Sequence, residues 1–404
     1  MRISTSTLYS EGVAAMQQMQ NNLARTSLQM TTGQRMLSPA DDPAAAARAI
    51  ELKQSDASNT QLASNRDAAI NTLSLEDGIL ASITSLLQDV KIMSLDAGGS
   101  LQTGSSLKGI ATDLRGRMQE LLGLANSTDG VGNFLFAGSQ GKIQPFASTA
   151  AGMVYQGDDV QHLVQAGPAR QIPTADSGAD LFMRIRNGNG SFHTAVGAAN
   201  TGSGTISQGQ VLTSPYSGAS YRITFTSATT FDVNDVSGGL PGVPVLPGQT
   251  YVSGQAITVN GIQMEISGAP ATGDTFDVQP SINQSIFETI TQFLATLETP
   301  PLPGDAAAAA KFQQGLQQAS AALDQAINNV MYTHATVGGR LRELDSLQAT
   351  GVDLGLQYKQ TLSKIQDTDY IQAATDLAKQ QLALQASQQS FAKVSQMSLF
   401  DYLR

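Results

Sequence analysis

The sequence has no cysteine, no tryptophan and only three histidines, His162, His193 and His334, which lie far apart along the chain. The absence of cysteine excludes disulfides, a cysteine nucleophile, a zinc finger and a cysteine-ligated iron–sulfur cluster. Three dispersed histidines also disfavour a histidine-rich metal site or a histidine-based catalytic triad. The composition therefore directs attention away from redox and metal chemistry.

Charge is scarce as well, because Asp, Glu, Lys and Arg make up 14% of the 404 residues and the net charge is −10. An acidic chain is a poor candidate for nucleic-acid binding, which needs a basic surface. No stretch approaches the roughly 18 apolar residues of a membrane span. We therefore expect no nucleic acid and no membrane among the partners.

The N-terminus reads MRISTSTLYSEG and lacks the apolar segment of a cleavable secretory signal. We expect the chain either to stay in the cytoplasm or to leave by a route that does not read such a signal.

Proline divides the chain into three parts. There is none between Pro43 and Pro145 and none after Pro303, whereas residues 139–282 hold nine of the fourteen prolines and twenty of the thirty-eight glycines. Because proline breaks helix interiors, this distribution predicts helices, then strands, then helices.

The first arm repeats apolar residues every seven positions, at Met16, Leu23, Met30 and Leu37 and again at Leu73, Leu80 and Leu87. This spacing predicts helices, the first of them reaching about Leu37. After an interruption at Pro39, Asp42 has the character of an N-cap with Pro43 at the first helical position.

The second arm has the same spacing over two stretches: Leu316, Leu323, Val330, Val337 and Leu344, and then Tyr370, Leu377, Leu384 and Phe391. Gly351 and Gly355 predict a soft boundary between them. The stripes are compatible with amphipathic helices packed inside one subunit or with coiled-coil seams within or between subunits.

The centre has the alternation of antiparallel strands. AITVNGIQMEI alternates around Asn260-Gly261, a favoured type I′ hairpin turn, and places one set of side chains on a single face: Ile257, Val259, Ile262, Met264 and Ile266. Two segments ending in Thr-Phe-Asp-Val, at 230–233 and 275–278, each resemble a strand, a turn and a strand. Two such hairpins favour a β-sandwich or a small barrel.

Catalytic motifs are missing. Gly188-Asn189-Gly190 lacks the third glycine of a dinucleotide-binding loop and is predicted to be a turn. Asp158 and Asp159 follow Gly157 in what we expect to be a hairpin loop, and Asp274 and Asp277 flank a strand. His334 is expected to be a hydrogen-bonded structural residue. We therefore predict no catalytic residue, no metal, no cofactor and no enzyme activity.

Both ends of the chain resemble a known family. LARTSLQMTTGQRMLSPADDPAAAARAIELK, at residues 23–53, resembles the N-terminal helical segment shared by bacterial flagellins and flagellar hook-associated proteins. YIQAATDLAKQQLALQASQQSFAKVSQMSLFDYLR, at 370–404, is similar to the matching C-terminal segment. GVGNFLFAGSQGKIQPF, at 130–146, and the MRIST start resemble the hook–filament junction type of hook-associated protein.

The resemblance implies an α+β fold in which long coiled-coil-like helices from both termini form two helical layers, with an inserted antiparallel β-domain. The implied domains are a terminal helical domain (1–42 and 353–404), a helical bundle (43–135 and 283–352) and an outer β-domain (136–282). The first stripe and the last, from Met16 to Leu37 and from Tyr370 to Phe391, would be the assembly interface. Leu316 to Leu344 would form the bundle core, and Ile257 to Ile266 the β-domain core.

The resemblance also implies export through the flagellar type III apparatus without a cleaved signal, and assembly outside the cell into a ring of identical subunits within a tube. The implied partners are a neighbouring hook-associated protein, the filament flagellin, and a cytoplasmic export chaperone that holds the C-terminal helix between about Tyr370 and Leu399.

Two other functions compete with the junction hypothesis. A filament flagellin or a flagellin paralogue would share the terminal helices. An adhesin or hydrolase carried on the same export scaffold would need a cluster of carboxylates or histidines in the β-domain, for which the sequence offers no good candidate.

Overall fold

The protein is α+β, with long terminal helices around an inserted antiparallel β region. The computed structural model describes residues 5–99, 102–150, 152–212 and 216–396. Its α-helices are α1 (Thr5–Thr32), α2 (Pro43–Ala97), α3 (Gly104–Ala125), α4 (Ile286–Glu298), α5 (Ala306–Gln366) and α6 (Tyr370–Gln396). The predicted order of helices, strands and helices is confirmed.

Local chemistry explains where the helices begin. The Asp42 carboxylate accepts a hydrogen bond from the Ala45 amide at 3.0 Å, and Pro43 is the first residue of α2. This confirms the predicted cap, in which a side-chain oxygen satisfies an otherwise free amide at the helix start. Thr103 and Ser285 cap α3 and α4 in the same way.

Two predicted helix boundaries were wrong. Helix α1 ends at Thr32, before Leu37, because Gly33 takes the left-handed conformation (φ 71°) that commonly terminates helices. Helix α5 continues through Gly351 and Gly355 to Gln366. An isolated glycine costs a helix only about 1 kcal/mol relative to alanine, which does not stop a helix with 61 residues.

The chain divides into two compact units. One comprises residues 1–64 and 346–404, and the other comprises residues 65–345. The unit 65–345 contains most of α2 and α5, all of α3 and α4, and every strand.

Helix α2 is, among the described helices, the one long and apolar enough by composition to cross a membrane. Of its apolar side chains, Leu73, Leu80 and Leu87 are fully buried, whereas Ile50, Ile92 and Leu95 are exposed. Buried Arg66 and Glu76 also lie on this helix. The buried face of α2 thus includes ionisable side chains.

The β region contains fifteen strands in the described chain. They are β1 (Phe146–Thr149), β2 (Gly152–Tyr155), β3 (Leu163–Gly167), β4 (Arg170–Pro173), β5 (Ile185–Arg186), β6 (Phe192–Val196), β7 (Thr205–Ile206), β8 (Gln210–Val211), β9 (Tyr221–Ser227), β10 (Thr230–Asp235), β11 (Val243–Thr250), β12 (Ala256–Val259), β13 (Ile262–Ser267), β14 (Thr275–Pro280) and β15 (Asn283–Gln284). A short π-helical turn, Ala179–Met183, precedes β5.

Two sheets share one apolar core. A five-stranded antiparallel sheet has the order β11-β10-β9-β14-β6, and a smaller sheet has the order β12-β13-β7, with β8 also pairing with β13. Side chains from both sheets, including Phe225, Phe276 and Ile262, form one buried cluster. The arrangement is a small β-sandwich, one of the two architectures that the sequence left open.

The hairpin predictions were right at Asn260-Gly261 and at the first Thr-Phe-Asp-Val segment, and wrong at the second. Val259 pairs with Ile262, and both Asn260 (φ 43°) and Gly261 (φ 86°) have positive φ, which confirms a two-residue type I′ turn. The first Thr-Phe-Asp-Val segment is β10, which pairs with the preceding strand β9 as predicted. The second is β14, which pairs with β9 and lies in a different sheet from β13, so the hairpin predicted there does not form.

Candidate assembly interface

The first and last helices pack against each other in antiparallel orientation. Near the start of α1, the Tyr9 ring lies 5.0 Å (centroid to centroid) from the Phe391 ring near the end of α6. The predicted stripe residues Met16, Leu23, Met30, Leu377, Leu384 and Phe391 are half-buried. A two-helix pair can cover its seam only partly, because neither helix has a second neighbour across the seam.

Backbone hydrogen bonds hold the other end of this pair. The Thr368 amide donates to the Gly33 carbonyl at 2.9 Å, and the Arg35 amide donates to the Gln366 carbonyl at 2.7 Å. The Arg35 guanidinium also donates to the Ile365 carbonyl at 3.0 Å. These bonds tie the segment after α1 to the connection between α5 and α6.

Asp41 organises the turn that leads into α2. Its carboxylate accepts hydrogen bonds from the amides of Leu37 and Ser38, both at 3.0 Å, and pairs with Arg25 at 2.8 Å. The Ser38 amide, the Leu37 amide and the Arg25 charge lower the pKa of Asp41. Leu37 is half-buried in this turn. It lies after the end of α1, so it does not continue the helical stripe of Met16, Leu23 and Met30 as the sequence predicted.

Large apolar side chains on the unit formed by residues 1–64 and 346–404 remain exposed. Ile371 is 83% exposed, Leu382 69% and Leu28 51%. The others are Tyr9, Ile50, Val352, Leu354, Leu356 and Tyr370, the last of which the sequence placed on the interface. An apolar set of this kind is typical of a surface that another protein covers.

Within residues 65–345, the five predicted bundle-core residues are all buried: Leu316, Leu323, Val330, Val337 and Leu344. Polar contacts between α2 and α5 flank them, since Lys91 pairs with Asp324 and His334 Nε2 lies 2.9 Å from Asp77. His334 therefore lies beside Asp77 at the rim of the helical core.

The five predicted β-core residues, Ile257, Val259, Ile262, Met264 and Ile266, all belong to the buried cluster between the two sheets. On the outer side, Arg222 makes two hydrogen bonds to Asp277, at 2.6 and 2.8 Å, across the paired strands β9 and β14. Asp277 thus has a structural partner.

The other carboxylates singled out in the sequence also have structural roles. Asp158 accepts hydrogen bonds from Ser139 and Val160, and Asp159 pairs with Arg184. The loop that carries them does not join paired strands, because β2 pairs with β1 and β3 pairs with β4, so the predicted hairpin there was wrong. Asp274 is buried and accepts from the amides of Thr201, Gly202 and Ala271.

The Gly188-Asn189-Gly190 segment is a turn before β6, since the Asn189 side chain accepts hydrogen bonds from the amides of Ser191 and Phe192. Across the residues that the structure describes, no group of three or more His, Asp or Glu side chains could hold a metal ion.

Glu76 is a buried residue that sequence reasoning missed. Its side chain is fully buried on α2, and burial together with the nearby Asp176 charge raises the pKa of Glu76 to about 8. The signal was present in the spacing, because Leu73, Glu76 and Leu80 follow the 3–4 rhythm of a core stripe.

The fold and the terminal helix pair define a structural subunit of the flagellin type. Residues 3–141 match the bacterial flagellin N-terminal helical region. Over 404 residues, the chain is 26% identical to flagellar hook-associated protein 3 of Salmonella typhimurium, covering 100% of both chains. It is 25% identical to the Escherichia coli protein of the same name, covering 99% of each.

Solved structures agree. FlgL of Xanthomonas campestris is 30% identical with a TM-score of 0.71, and the match covers 77% of this chain and 99% of that one. The flagellar junction protein FlgL of Legionella pneumophila is 28% identical with a TM-score of 0.71, covering 80% and 100%. The chain belongs to the FlgL family, the hook–filament junction proteins of the extracellular bacterial flagellum. This is a structural family, and the chain is a structural protein rather than an enzyme.

Proposed function

We propose that this chain is the adaptor that joins the flagellar hook to the filament, and that it assembles into a ring through its terminal helices. The observation that carries the proposal is the α1–α6 pair, whose seam is only half-covered and whose outer faces expose Ile371, Leu382 and Leu28. Neighbouring subunits in a tube would bury this surface, because apolar area removed from water stabilises association.

The proposed layers follow the domains expected from the sequence. Residues 1–42 and 353–404 would form the inner layer, residues 43–135 and 283–352 the next, and the β-domain 136–282 the outside. In this arrangement Met16, Leu23, Met30, Leu37, Tyr370, Leu377, Leu384 and Phe391 are the assembly residues. The cores of the other two domains would hold the subunit in shape without contacting neighbours.

The proposed partners are a second hook-associated protein on one side and the filament flagellin on the other. Before assembly, a cytoplasmic chaperone would cover the C-terminal helix during type III export without a cleaved signal. The exposed Ile371 and Leu382 support a need for such cover. The proposed chaperone segment ends at Leu399; its residues 397–399, like most of the MRIST start, lie outside the described residues.

Gene deletion tests the adaptor function. Cells without the protein should make hooks that lack filaments and should release unpolymerised flagellin into the medium, and the intact gene should restore filaments. If the protein were instead a filament flagellin, its loss would remove the secreted subunit itself. Filaments of normal number and length on cells that lack the protein would refute the adaptor function.

Truncation tests the assembly surface. The chain without residues 371–404 should be a soluble, folded monomer that does not join purified hooks, whereas the full chain should join them. Normal incorporation of the truncated chain would contradict the role of α6. In a pull-down, a chaperone retained by residues 1–369 as strongly as by the full chain would contradict the chaperone assignment.

A further inference from the structure

We propose that Gly12 sets the register of the α1–α6 pair by admitting the Phe391 ring. A Cβ atom placed on Gly12 would lie 2.9 Å from Cδ2 and 3.0 Å from Cε2 of Phe391. Carbon atoms do not approach so closely without displacement. The absence of a side chain at residue 12 is therefore what allows the aromatic ring to pack against the α1 backbone.

A second glycine marks the same register at the other end of the pair. A Cβ atom on Gly33 would lie 3.1 Å from the Tyr370 hydroxyl. The residue numbers of both contacts, 12 with 391 and 33 with 370, add to 403, and those of the nearby backbone hydrogen bonds, 33 with 368 and 35 with 366, add to 401. Contacts about 20 residues apart whose sums agree within two residues indicate a nearly straight antiparallel register, because residue numbers rise on one helix as they fall on the other.

This register places a large residue opposite a small or polar one in six of its seven layers, the exception being Met19 with Leu384. The layers, each adding to 403, are Gly12 with Phe391, Met16 with Ser387, Met19 with Leu384, Leu23 with Gln380, Thr26 with Leu377, Met30 with Ala373 and Gly33 with Tyr370. All members of the five inner layers are at least half-buried. They recur at alternating steps of three and four, as seam positions of a coiled coil do.

A slip of one heptad would remove the contact between Gly12 and Phe391. In one direction Phe391 would face Met19, which places a phenyl ring and a long side chain in one layer. In the other direction Leu384 would lie opposite Gly12, and Phe391 would lose the glycine. Overpacking of this kind forces side chains off their preferred rotamers. The glycine contact therefore discriminates against the registers that a seven-residue repeat would otherwise permit.

Gln380 shows that the seam does not simply maximise apolar contact. Its side-chain oxygen Oε1 is buried and has no hydrogen-bond partner among the described residues. A polar residue at a seam position lowers the stability of a coiled coil and restricts its registers. The contact between Gly12 and Phe391 therefore acts beside Gln380 in selecting the observed register.

Cysteine cross-linking can read this register directly, because the chain has no native cysteine. The double variant Met16→Cys/Ser387→Cys, whose residue numbers add to 403, reports the observed register. The double variant Leu23→Cys/Ser387→Cys, whose residue numbers add to 410, reports a slip of seven residues. Such a slip moves a residue by about 10 Å, beyond the roughly 4.4–6.8 Å Cα separation of a disulfide.

The experiment uses the purified full-length protein, diamide as oxidant, and mass spectrometry at low protein concentration to count intramolecular disulfides. We expect the Met16→Cys/Ser387→Cys pair to cross-link and the Leu23→Cys/Ser387→Cys pair to do so at least about tenfold less. Gly12→Val should lower the cross-linking of the first pair by about threefold or more, in the range of couplings between contacting residues. Adding Phe391→Ala should restore it. Ala15→Val, at an exposed position on α1, is the matched control and should change nothing.

Gly12→Ala separates a change of register from a failure to fold. Alanine favours helix formation, and yet this variant should lower the cross-linking of the Met16→Cys/Ser387→Cys pair. Unchanged cross-linking in Gly12→Ala and Gly12→Val, an equal loss in Ala15→Val, or no rescue by Phe391→Ala would each overturn the inference. The assay needs no hook or filament, so its outcome is independent of the test of the adaptor function.

Discussion

The backbone amide of Asp176 donates a hydrogen bond to Oε1 of Glu76 at 3.1 Å. The same aspartate accepts two hydrogen bonds from the Arg340 guanidinium of α5, both at 2.9 Å. The other oxygen of Glu76, Oε2, is buried without a hydrogen-bond partner among the described residues. Asp176, in a loop of the β region, thus links Glu76 on α2 to Arg340 on α5. The Glu76 carboxyl group itself has little contact with water.

Glu76 should make the stability of the protein depend on pH. Its pKa is about 8 in the folded state against 4.5 without the fold. The folded state therefore binds more protons between these values, and the free energy of unfolding falls as the pH rises from about 4.5 to 8. Glu76→Gln should remove this dependence and stabilise the protein by a few kcal/mol, on the order of 1.4 per pKa unit, at pH above 8.

Urea unfolding followed by circular dichroism across this pH range measures the Glu76 effect. The control is Glu51→Gln, at an exposed position on the same helix. If the stability of Glu76→Gln falls with rising pH as steeply as that of the natural protein, another group causes the pH dependence.

Asp41 should have the opposite pH behaviour. Because its pKa is lowered by the Ser38 and Leu37 amides and by Arg25, its contribution is present at neutral pH and is lost as the pH falls through the folded-state pKa. Asp41→Asn should speed hydrogen exchange at the Leu37 and Ser38 amides at neutral pH, measured by mass spectrometry of peptides. Asp353→Asn, exposed on α5, is the control, and equal exchange in both variants would contradict the role of Asp41.

Leu323 should be a major contributor to the helical core. It is fully buried on α5, and replacing a buried leucine by alanine removes apolar contacts and leaves a cavity, at a cost of about 2–5 kcal/mol. Leu323→Ala should lower the urea midpoint of the helical signal. Met331→Ala, on the same helix but 51% exposed, should have little effect. Equal midpoints for the two variants would contradict this assignment.

Ile262→Asp should unfold the β region while the helices persist. Ile262 is fully buried between the two sheets, and an unpaired charge there costs several kcal/mol, as an order of magnitude. Limited proteolysis should cut between residues 139 and 282 and leave helical circular dichroism. Thr258→Asp, exposed on the opposite face of β12, is the control.

The same two regions should differ in their effect on movement. At equal protein levels, we expect Ile262→Asp to reduce motility less than Leu323→Asp, because the β region is an insertion between the helical arms. Equal loss of motility from both variants would contradict the expected division between helical bundle and outer β-domain.

Much of the fold could be predicted from the sequence, because it depends on local backbone and side-chain preferences. The seven-residue spacing and the proline distribution determined where the helical arms lie, Asp42 and Pro43 determined the start of α2, and Asn260-Gly261 determined its hairpin. Each depends on backbone conformation or side-chain period within a few residues, so a single sequence contains the information. The paired end segments likewise indicated the family before the fold was known.

Only the tertiary structure decided which surfaces meet. The sequence did not show that the second Thr-Phe-Asp-Val strand, β14, pairs with β9, because strand partners are chosen by the packing of a shared core. Nor did it show that Glu76 on α2 meets Asp176, or that Gly12 faces Phe391 from the opposite end of the chain. The last two relationships join residues about 100 and 380 positions apart, where periodicity says which face of an element is apolar but not what covers it.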